Sequence, residues 1–217
     1  MALPTIVNAT GIARLTLKSD LACSVGDLIG HNGTDWVLAD ADGRIPASYM
    51  AMETVAAGSV VSVCQAGALF DSDAPYTAGQ DQYLATTAGG HTGTIPSLTT
   101  TLTILQRIGK TLSTDTVIFD LTPRGPTLLR ARVAYDPASL ASATARSDTL
   151  AITGLLTTDV LRGRHVAVLT GTGWDTGLDI VSLDVSGADT LRVRLQNATA
   201  GALDGASVNL DVYIERL

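Results

Sequence analysis

Residues 207–217 read SVNLDVYIERL, and this stretch decides the fold class. Apolar side chains recur at every second position, and each of the residues between them is polar or aromatic. The apolar positions are Val208, Leu210, Val212 and Ile214. A period of two places alternate side chains on opposite faces of a β-strand. A strand with one apolar face is typical of an antiparallel sheet that covers a core on one side.

The same alternation recurs through the second half of the chain. It is found at residues 129–135, 149–153, 181–185 and 191–195. Gly-rich turns at Thr170–Gly177, Ser186–Asp189 and Ala200–Ala206 separate these runs. Regular short strands divided by turns predict a sandwich or small barrel.

One segment of the second half suggests a helix. Asp136 would cap it and Pro137 would occupy its first position, with the helix over Ala138–Ala145. The segment is short, and an irregular connection is the alternative. The sequence therefore predicts an all-β protein of two small antiparallel β-sandwich or barrel domains with little helix.

The first half shows the same organisation. Two short runs, Asp27–Gly30 and Asp35–Ala39, flank an Asn32-Gly33 pair, which is typical of a β-hairpin turn. Further strands are predicted at Ile12–Leu17, Tyr49–Val55, Ser59–Gln65, Gln82–Thr86, Thr101–Arg107 and Val117–Leu121.

Pro123, Gly125 and Pro126 interrupt the strand pattern, because these residue types break regular ladders. We therefore expect an N-terminal β-domain at residues 11–122 and a C-terminal β-sandwich module at residues 127–217. Residues 1–10 show no pattern that would pair them with a strand, and we expect them to form an N-terminal arm.

Composition and charge narrow the function classes. The 217 residues are 46% hydrophobic but only 16% charged, which predicts a globular chain rather than a disordered one. The net charge is −7 and no basic run is present, which argues against nucleic-acid binding. No stretch approaches 18 apolar residues and no secretory signal is evident at the start, so we expect no membrane partner.

We find no pattern of residues that indicates catalysis or a cofactor. His31, His91 and His165 lack metal-ligand spacing, and the motifs of hydrolases and nucleotide-binding loops are missing. Two acidic segments, Asp71–Asp73 and Asp40–Gly43, are similar to calcium loops but lack essential positions. The prediction is that the protein is not an enzyme and binds no cofactor or metal.

The remaining polar and sulfur side chains have ordinary interpretations. Cys23 and Cys64 are expected to be free, mostly buried thiols, although sequence alone leaves a disulfide open. Threonine-containing sequons at Asn8, Asn32 and Asn197 are interpreted as chance matches. The pairs Arg130/Arg132 and Arg192/Arg194 are expected on outward strand faces, as solvated surface or as a subunit contact.

Several stretches resemble proteins of tailed bacteriophages. Within residues 56–121, AAGSVVSVCQAGALF, AGQDQYLATTAGGHTGTIPS and LQRIGKTLSTDTVIFDL are similar to the small β-domain of head decoration proteins and some tail-fibre proteins. The hairpin VGDLIGHNGTDWVLADADG resembles the opening of that domain. The second half, including DTLRVRLQNATAGALDGASVNLDVYIERL, resembles a β-module of phage virion proteins.

This resemblance implies a virion location on the outer capsid surface, a homotrimer and attachment to the major capsid protein. The resulting hypothesis is a decoration protein that stabilises the capsid by bridging capsomers. The apolar, low-charge start of the chain is its hypothetical capsid-contacting segment. The residues assigned to this contact are Ala2, Leu3, Pro4, Thr5, Ile6, Val7, Ile12, Leu15 and Leu17.

Two alternatives remain open at this stage. A tail, baseplate or head-fibre component built from the same modules is the first. A carbohydrate-binding module or polysaccharide-degrading enzyme on a β-sandwich is the second. Carbohydrate platforms usually present aromatic faces, and Trp36 and Trp174 are the only tryptophans.

Overall fold

The computed structural model describes residues 4–73, 76–122, 127–161 and 174–216. Within these ranges every regular element is a β-strand, which confirms the all-β prediction. The first nine strands are β1 Thr5–Thr10, β2 Ala13–Thr16, β3 Leu28–His31, β4 Trp36–Leu38, β5 Tyr49–Ala51, β6 Val60–Cys64, β7 Ala66–Phe70, β8 Asp81–Leu84 and β9 His91–Thr92. The remaining strands are β10 Thr103–Ile104, β11 Arg107–Thr111, β12 Thr116–Asp120, β13 Thr127–Tyr135, β14 Ala145–Ala151, β15 Val160–Leu161, β16 Leu178–Gly187, β17 Thr190–Asn197 and β18 Val208–Arg216.

The chain divides into two compact units, and a short segment of unit 2 lies between two parts of unit 1 in the sequence. Unit 1 comprises Met1–Ser97 and Ile104–Thr127, and unit 2 comprises Leu98–Thr103 and Leu128–Leu217. Residues 98–103 were expected in the first domain, but their backbone bonds lie in unit 2. The Leu102 N–H donates to the Thr153 carbonyl, and the Arg132 N–H donates to the Thr99 carbonyl. The predicted breakpoint at residues 123–126 lies outside the described residues.

Unit 1 contains two sheets. One has six strands in the order β1-β7-β12-β11-β8-β9, and the other has five in the order β2-β6-β5-β3-β4. The predicted Asn-Gly hairpin is confirmed by the antiparallel pairing of β3 and β4. In its turn, Asn32 Oδ1 accepts hydrogen bonds from the N–H groups of Thr34 and Asp35. Gly33 takes φ +102°, a conformation that glycine adopts without a steric penalty.

The expected N-terminal arm is corrected by the structure. β1 pairs antiparallel with β7, with Thr5 opposite Phe70, Ile6 opposite Leu69 and Val7 opposite Ala68. A bulge follows Val7, where Asn8 takes φ +53°. Such a bulge disturbs the regular alternation, which is why the sequence pattern concealed this strand.

Unit 2 also contains two sheets. One has the order β10-β13-β18-β15, and the other has the order β14-β17-β16. The alternation predicted for β13, β17 and β18 places their apolar side chains inside. Exposure of these core residues is 7% or less for Leu129, Ala131, Val133, Tyr135, Leu191, Val193, Leu195, Val208, Leu210, Val212 and Ile214. The Tyr135 hydroxyl donates to Asp148 Oδ2 at 2.5 Å and so links β13 to β14, one strand from each sheet.

Residues 138–144 form the irregular connection rather than the helix, and Ala145 is the first residue of β14. The carbonyls of Leu140 and Ala141 accept hydrogen bonds from Asn197 Nδ2, at 2.9 and 3.2 Å. Leu140 also forms an isolated antiparallel bridge with Leu203. Ala143 takes φ +52°, which a right-handed helix excludes. These long-range contacts outweigh the local helix-start signal.

Candidate interaction face

The residues predicted to contact a capsid occupy different environments. Leu17 is only 3% exposed and belongs to the core cluster of unit 1, so its assignment to a contact surface is corrected. Leu15 is half-buried and packs against the same cluster. Both lie on or next to β2, whose inward positions face that core. Leu17 therefore stabilises the unit, and contact of the half-buried Leu15 with a partner stays a prediction.

The other predicted contact residues lie nearer the surface. Val7 is 47% exposed and Ile12 is 62% exposed, whereas Pro4 and Ile6 are half-buried. Thr5 is exposed. Ala2 and Leu3 lie outside the described residues. Contact of these residues with a capsid stays a prediction.

Strand register extends the exposed part of β1 into a larger apolar surface. Val7 lies opposite Ala68 on β7, and Ala68 lies opposite Ile118 on β12. Phe70 is two residues beyond Ala68 and therefore projects from the same side of the sheet. Phe70 is 41% exposed and Ile118 is 49% exposed. We call Val7, Ala68, Phe70 and Ile118 the apolar face.

The opposite side of these strands is apolar as well. Leu69, Val117 and Phe119 are at most 3% exposed, so they form part of the core of unit 1. A sheet that needs only one covered side normally carries polar residues on the other. Single exposed aliphatic residues are ordinary, but a contiguous exposed patch marks an interaction surface. The three strands therefore carry apolar side chains on both faces of the sheet.

Phe70 and Ile118 are not among the residues predicted to contact a partner. A signal for Ile118 is present in Val117-Ile118-Phe119, since three consecutive apolar residues in a strand leave both faces apolar. Phe70 carries no comparable signal, because β7 was not predicted as a strand. Its pairing with β1 and β12 is set by residues distant in sequence.

A cation borders the apolar face. Lys110 on β11 lies opposite Ile118, is exposed, and forms no ion pair within the described part of the chain. Beyond it, Arg107 and Asp81 form an exposed salt bridge with a 2.7 Å contact. The outer side of this sheet thus changes from apolar side chains around β7, with Thr5, Thr116 and Asp120 on the same side, to charged ones at β11 and β8. This resembles the apolar centre and polar rim of protein interfaces.

Residues that resembled metal loops form ordinary turns. Asp71 Oδ1 accepts the Asp73 N–H at 3.0 Å, and Asp40 Oδ1 accepts the Asp42 N–H at 3.2 Å. Burial, with the neighbouring Asp42, raises the pKa of the Asp40 carboxyl. Within the described ranges, no group of three or more His, Cys, Asp or Glu side chains is placed to hold a metal ion.

Both cysteines are free and buried, as expected. Burial raises the pKa of the Cys64 thiol to about 11. It also raises the pKa of Cys23, with a smaller contribution from the Asp27 charge. A thiol with a raised pKa is a poor nucleophile at neutral pH.

The arginine pairs do not share one environment. Arg130 is only 7% exposed, which corrects its predicted outward position. Arg132 binds Asp211 through two hydrogen bonds of 2.6 and 2.7 Å. Arg192 binds Asp184 in the same two-pronged way, while Arg194 is exposed. Arg132, Arg192 and Arg194 therefore lie on outward strand positions as predicted, the first two with side chains that are 38% exposed and held in ion pairs.

The tryptophans lie within packed surroundings. Trp174 donates its indole N–H to the Leu178 carbonyl at 2.7 Å and is half-buried. Trp36 packs against the unit 1 core cluster, with His31 and Tyr49 as edge-on ring neighbours. Both indoles are half-buried and contact neighbouring groups of their own unit.

Comparison with known proteins gives no assignment. No protein-family model, curated protein or solved structure matches the chain. Among the described residues, no helix has the length and apolarity needed to cross a membrane.

Proposed function

We propose that the protein is a non-catalytic structural component of a tailed-phage particle, which binds the outer capsid surface and stabilises it by bridging capsomers. The apolar face is the observation that carries this proposal. It supplies the exposed aliphatic and aromatic anchors that a protein interface needs at its centre. The resemblance of residues 56–121 to head decoration proteins supports the same function, because β7 and β12 lie within that stretch.

A decoration role has a simple thermodynamic basis. A protein that binds only the assembled lattice stabilises that lattice by mass action. Binding to neighbouring capsomers requires several copies or several contacts, and a homotrimer, as the resemblance implies, would supply them. The partners in this proposal are the major capsid protein and further copies of this chain.

The proposal is tested by co-sedimentation with undecorated capsids of the same phage, after the mass of the free protein is measured by light scattering. We expect a trimer that pellets with capsids. A monomer that stays in the supernatant contradicts the decoration role, and tail fractions would then be assayed instead.

Point variants locate the contact. Phe70→Ser and Ile118→Ser should each weaken capsid binding by about tenfold, the effect expected when a central apolar anchor is truncated. Val181→Ser is the matched control, because Val181 is 46% exposed but lies on β16 of unit 2. Circular dichroism verifies that all three variants fold. Capsid binding unchanged in both Phe70→Ser and Ile118→Ser would remove the apolar face from the proposal.

A further inference from the structure

The turn between β3 and β4 contains a reactive pair of residues that the proposed function does not use. Asn32 is followed by Gly33, whereas the other three asparagines of the chain precede an alanine or a leucine. Gly33 has no side chain that would shield its backbone nitrogen. Apart from its chain neighbours, none of the described residues has a heavy atom within 4 Å of the place where a Cβ would be. Both residues are exposed, so water reaches the pair.

The covalent structure of the pair allows a five-membered ring to form. The Gly33 backbone nitrogen and the Asn32 side-chain carbon Cγ are separated by three atoms, which are Cβ, Cα and the carbonyl carbon of Asn32. A bond between this nitrogen and Cγ closes a cyclic imide, a succinimide. Because both reacting groups belong to one short segment, ring closure is intramolecular and needs no second molecule.

A base contacts the attacking nitrogen. The Gly33 N–H donates to His31 Nδ1, with the two nitrogens 3.1 Å apart. A backbone N–H can only donate, so Nδ1 is the acceptor and carries no proton. A general base acts over a separation of about 2.6–3.2 Å. His31 therefore lies where it can remove the proton that the Gly33 nitrogen loses on attack.

The imidazole is held by a neighbouring ring. His31 lies opposite Trp36 in the β3–β4 pair, and their rings meet edge-on with centroids 4.9 Å apart. Trp36 also packs against the core cluster of unit 1. This contact limits the rotamers of a histidine that is otherwise exposed.

The Asn32 side-chain oxygen meets two backbone donors. Oδ1 accepts from the Thr34 N–H at 2.9 Å and from the Asp35 N–H at 2.8 Å. Attack on Cγ moves negative charge onto this oxygen. Backbone donors at about 2.7–3.1 Å stabilise such an oxyanion in acyl-transfer enzymes. The turn thus combines a base at the nucleophile with donors at the developing charge.

We propose that the β3–β4 turn is a self-modifying site, at which Asn32 is converted through a succinimide to isoaspartate and aspartate. His31 takes the Gly33 proton as the nitrogen attacks Cγ. The Cγ–Nδ2 bond then breaks, and the proton passes from the imidazolium to the leaving nitrogen, which departs as ammonia. Water opens the ring at either carbonyl.

The sum of these steps consumes one asparagine and one water and forms one ammonia and one isoaspartyl or aspartyl residue. Either product adds a negative charge to the turn. Isoaspartate also adds a methylene to the backbone between β3 and β4. This inference is independent of the proposed capsid role.

Incubation of the full-length protein at neutral pH tests the proposal. Peptide mapping by mass spectrometry follows the mass gain at Asn32, and chromatography separates isoaspartyl from aspartyl peptides. The same chain unfolded in guanidinium chloride is the reference, because it keeps the Asn-Gly pair but loses the placement of His31 and of the two donors. We expect conversion to be about tenfold faster in the native protein. A native rate equal to or below the unfolded rate overturns the proposal.

Two variants separate base catalysis from turn structure. His31→Ala should slow conversion by about tenfold, and free imidazole should accelerate this variant more than it accelerates the wild type. His91→Gln is the control, because His91 lies on β9 in the other sheet of unit 1 and should leave the rate at Asn32 unchanged. Circular dichroism verifies that both variants fold. Unchanged conversion in His31→Ala, or a slowed variant on which imidazole acts no more than on the wild type, refutes the role assigned to His31.

Discussion

Asn197 shows how one side chain organises several loops of unit 2. It is fully buried, and its Nδ2 donates to the carbonyls of Leu140, Ala141 and Gly201. Its Oδ1 accepts from the Thr199 N–H and hydroxyl, both at 2.8 Å. The Asn197 sequon is therefore a structural unit, because the amide that a glycan would need is occupied inside the protein.

Asn197→Ala should lower the free energy of unfolding by about 2–4 kcal/mol, since it leaves buried carbonyl groups without a donor. Chemical denaturation measures the change. Gln196→Ala is the matched control: Gln196 is the exposed neighbour on β17, and its loss should change stability by less than about 0.5 kcal/mol. Equal effects of the two substitutions would contradict the structural role of Asn197.

The two thiols give a second prediction for individual residues. Cys23 and Cys64 are buried, and the pKa of Cys64 is raised to about 11. Few thiolates therefore exist at pH 8, and reagent access requires opening of the core. We expect Ellman's reagent to titrate both thiols in denaturant but to react slowly with the native protein. Fast native reaction of both thiols would show that this region of the core opens readily.

Pairs of strands within unit 2 are joined by ion pairs of different burial. Asp211 on β18 holds Arg132 of β13, and the Asp211 side chain is 8% exposed. Asp184 on β16 holds Arg192 of β17, and both side chains are 38% exposed. The stability lost when such a pair is broken depends on burial, because water can replace the lost hydrogen bonds only at an exposed position.

Asp211→Asn should therefore destabilise the protein by about 1–3 kcal/mol, because a buried carboxylate that accepts both Arg132 hydrogen bonds is lost, whereas Asp184→Asn should cost less than about 1 kcal/mol. Thermal and chemical unfolding of both variants measures the difference. Salt separates them further, because added salt screens an exposed pair more than a buried one. A larger loss of stability in Asp184→Asn than in Asp211→Asn would contradict this expectation.

Strand β1 changes how the N-terminal segment has to be tested. Deleting residues 2–10 removes an edge strand and leaves β7 unpaired on that side. We expect lower thermal stability and self-association, since an exposed strand edge is a template for pairing with other chains. Light scattering and thermal unfolding check this, with deletion of residues 2–4 as the control. A deletion of residues 2–10 that stays monodisperse and equally stable would show that β1 contributes little to the sheet.

The elements predicted from sequence are those in which local pattern and tertiary environment agree. β17 and β18 alternate cleanly because one side faces the core throughout. β16 departs from its pattern: a register shift between Ile180 and Ser182 leaves Val181 46% exposed. The apolar face was predicted only at Val7, because the contributions of Phe70 and Ile118 depend on pairing between distant strands. No local rule reports such pairing.

At the scale of the whole molecule, the two units are not consecutive pieces of chain. Leu102 is fully buried, yet it belongs to unit 2 while the residues on both sides of its segment belong to unit 1. A run of threonines around it carries no signal of which sheet it joins. A boundary near residue 123 therefore separates most of unit 1 from most of unit 2, but it places the buried Leu102 on the wrong side.

A fragment of residues 127–217 should accordingly be less stable than the same fragment with residues 98–103 attached through a flexible linker. The segment supplies the backbone hydrogen bonds between Leu102 and Thr153 and between Thr99 and Arg132, and a typical hydrogen bond contributes about 1 kcal/mol. Denaturant titrations of the two fragments measure the difference. Equal stabilities would show that residues 98–103 are dispensable for unit 2.

Residues 98–103 also affect the order in which contacts of unit 2 can form during translation. Leu102 is synthesised before Thr153, whose carbonyl its backbone N–H binds. At roughly 5–20 residues per second, this partner emerges about 3–10 s later. During that interval the segment around Leu102 lacks the backbone partner that it has in the folded protein. Nascent chains stalled between these two residues should therefore be bound by chaperones that recognise exposed apolar segments, and the released, folded protein should not.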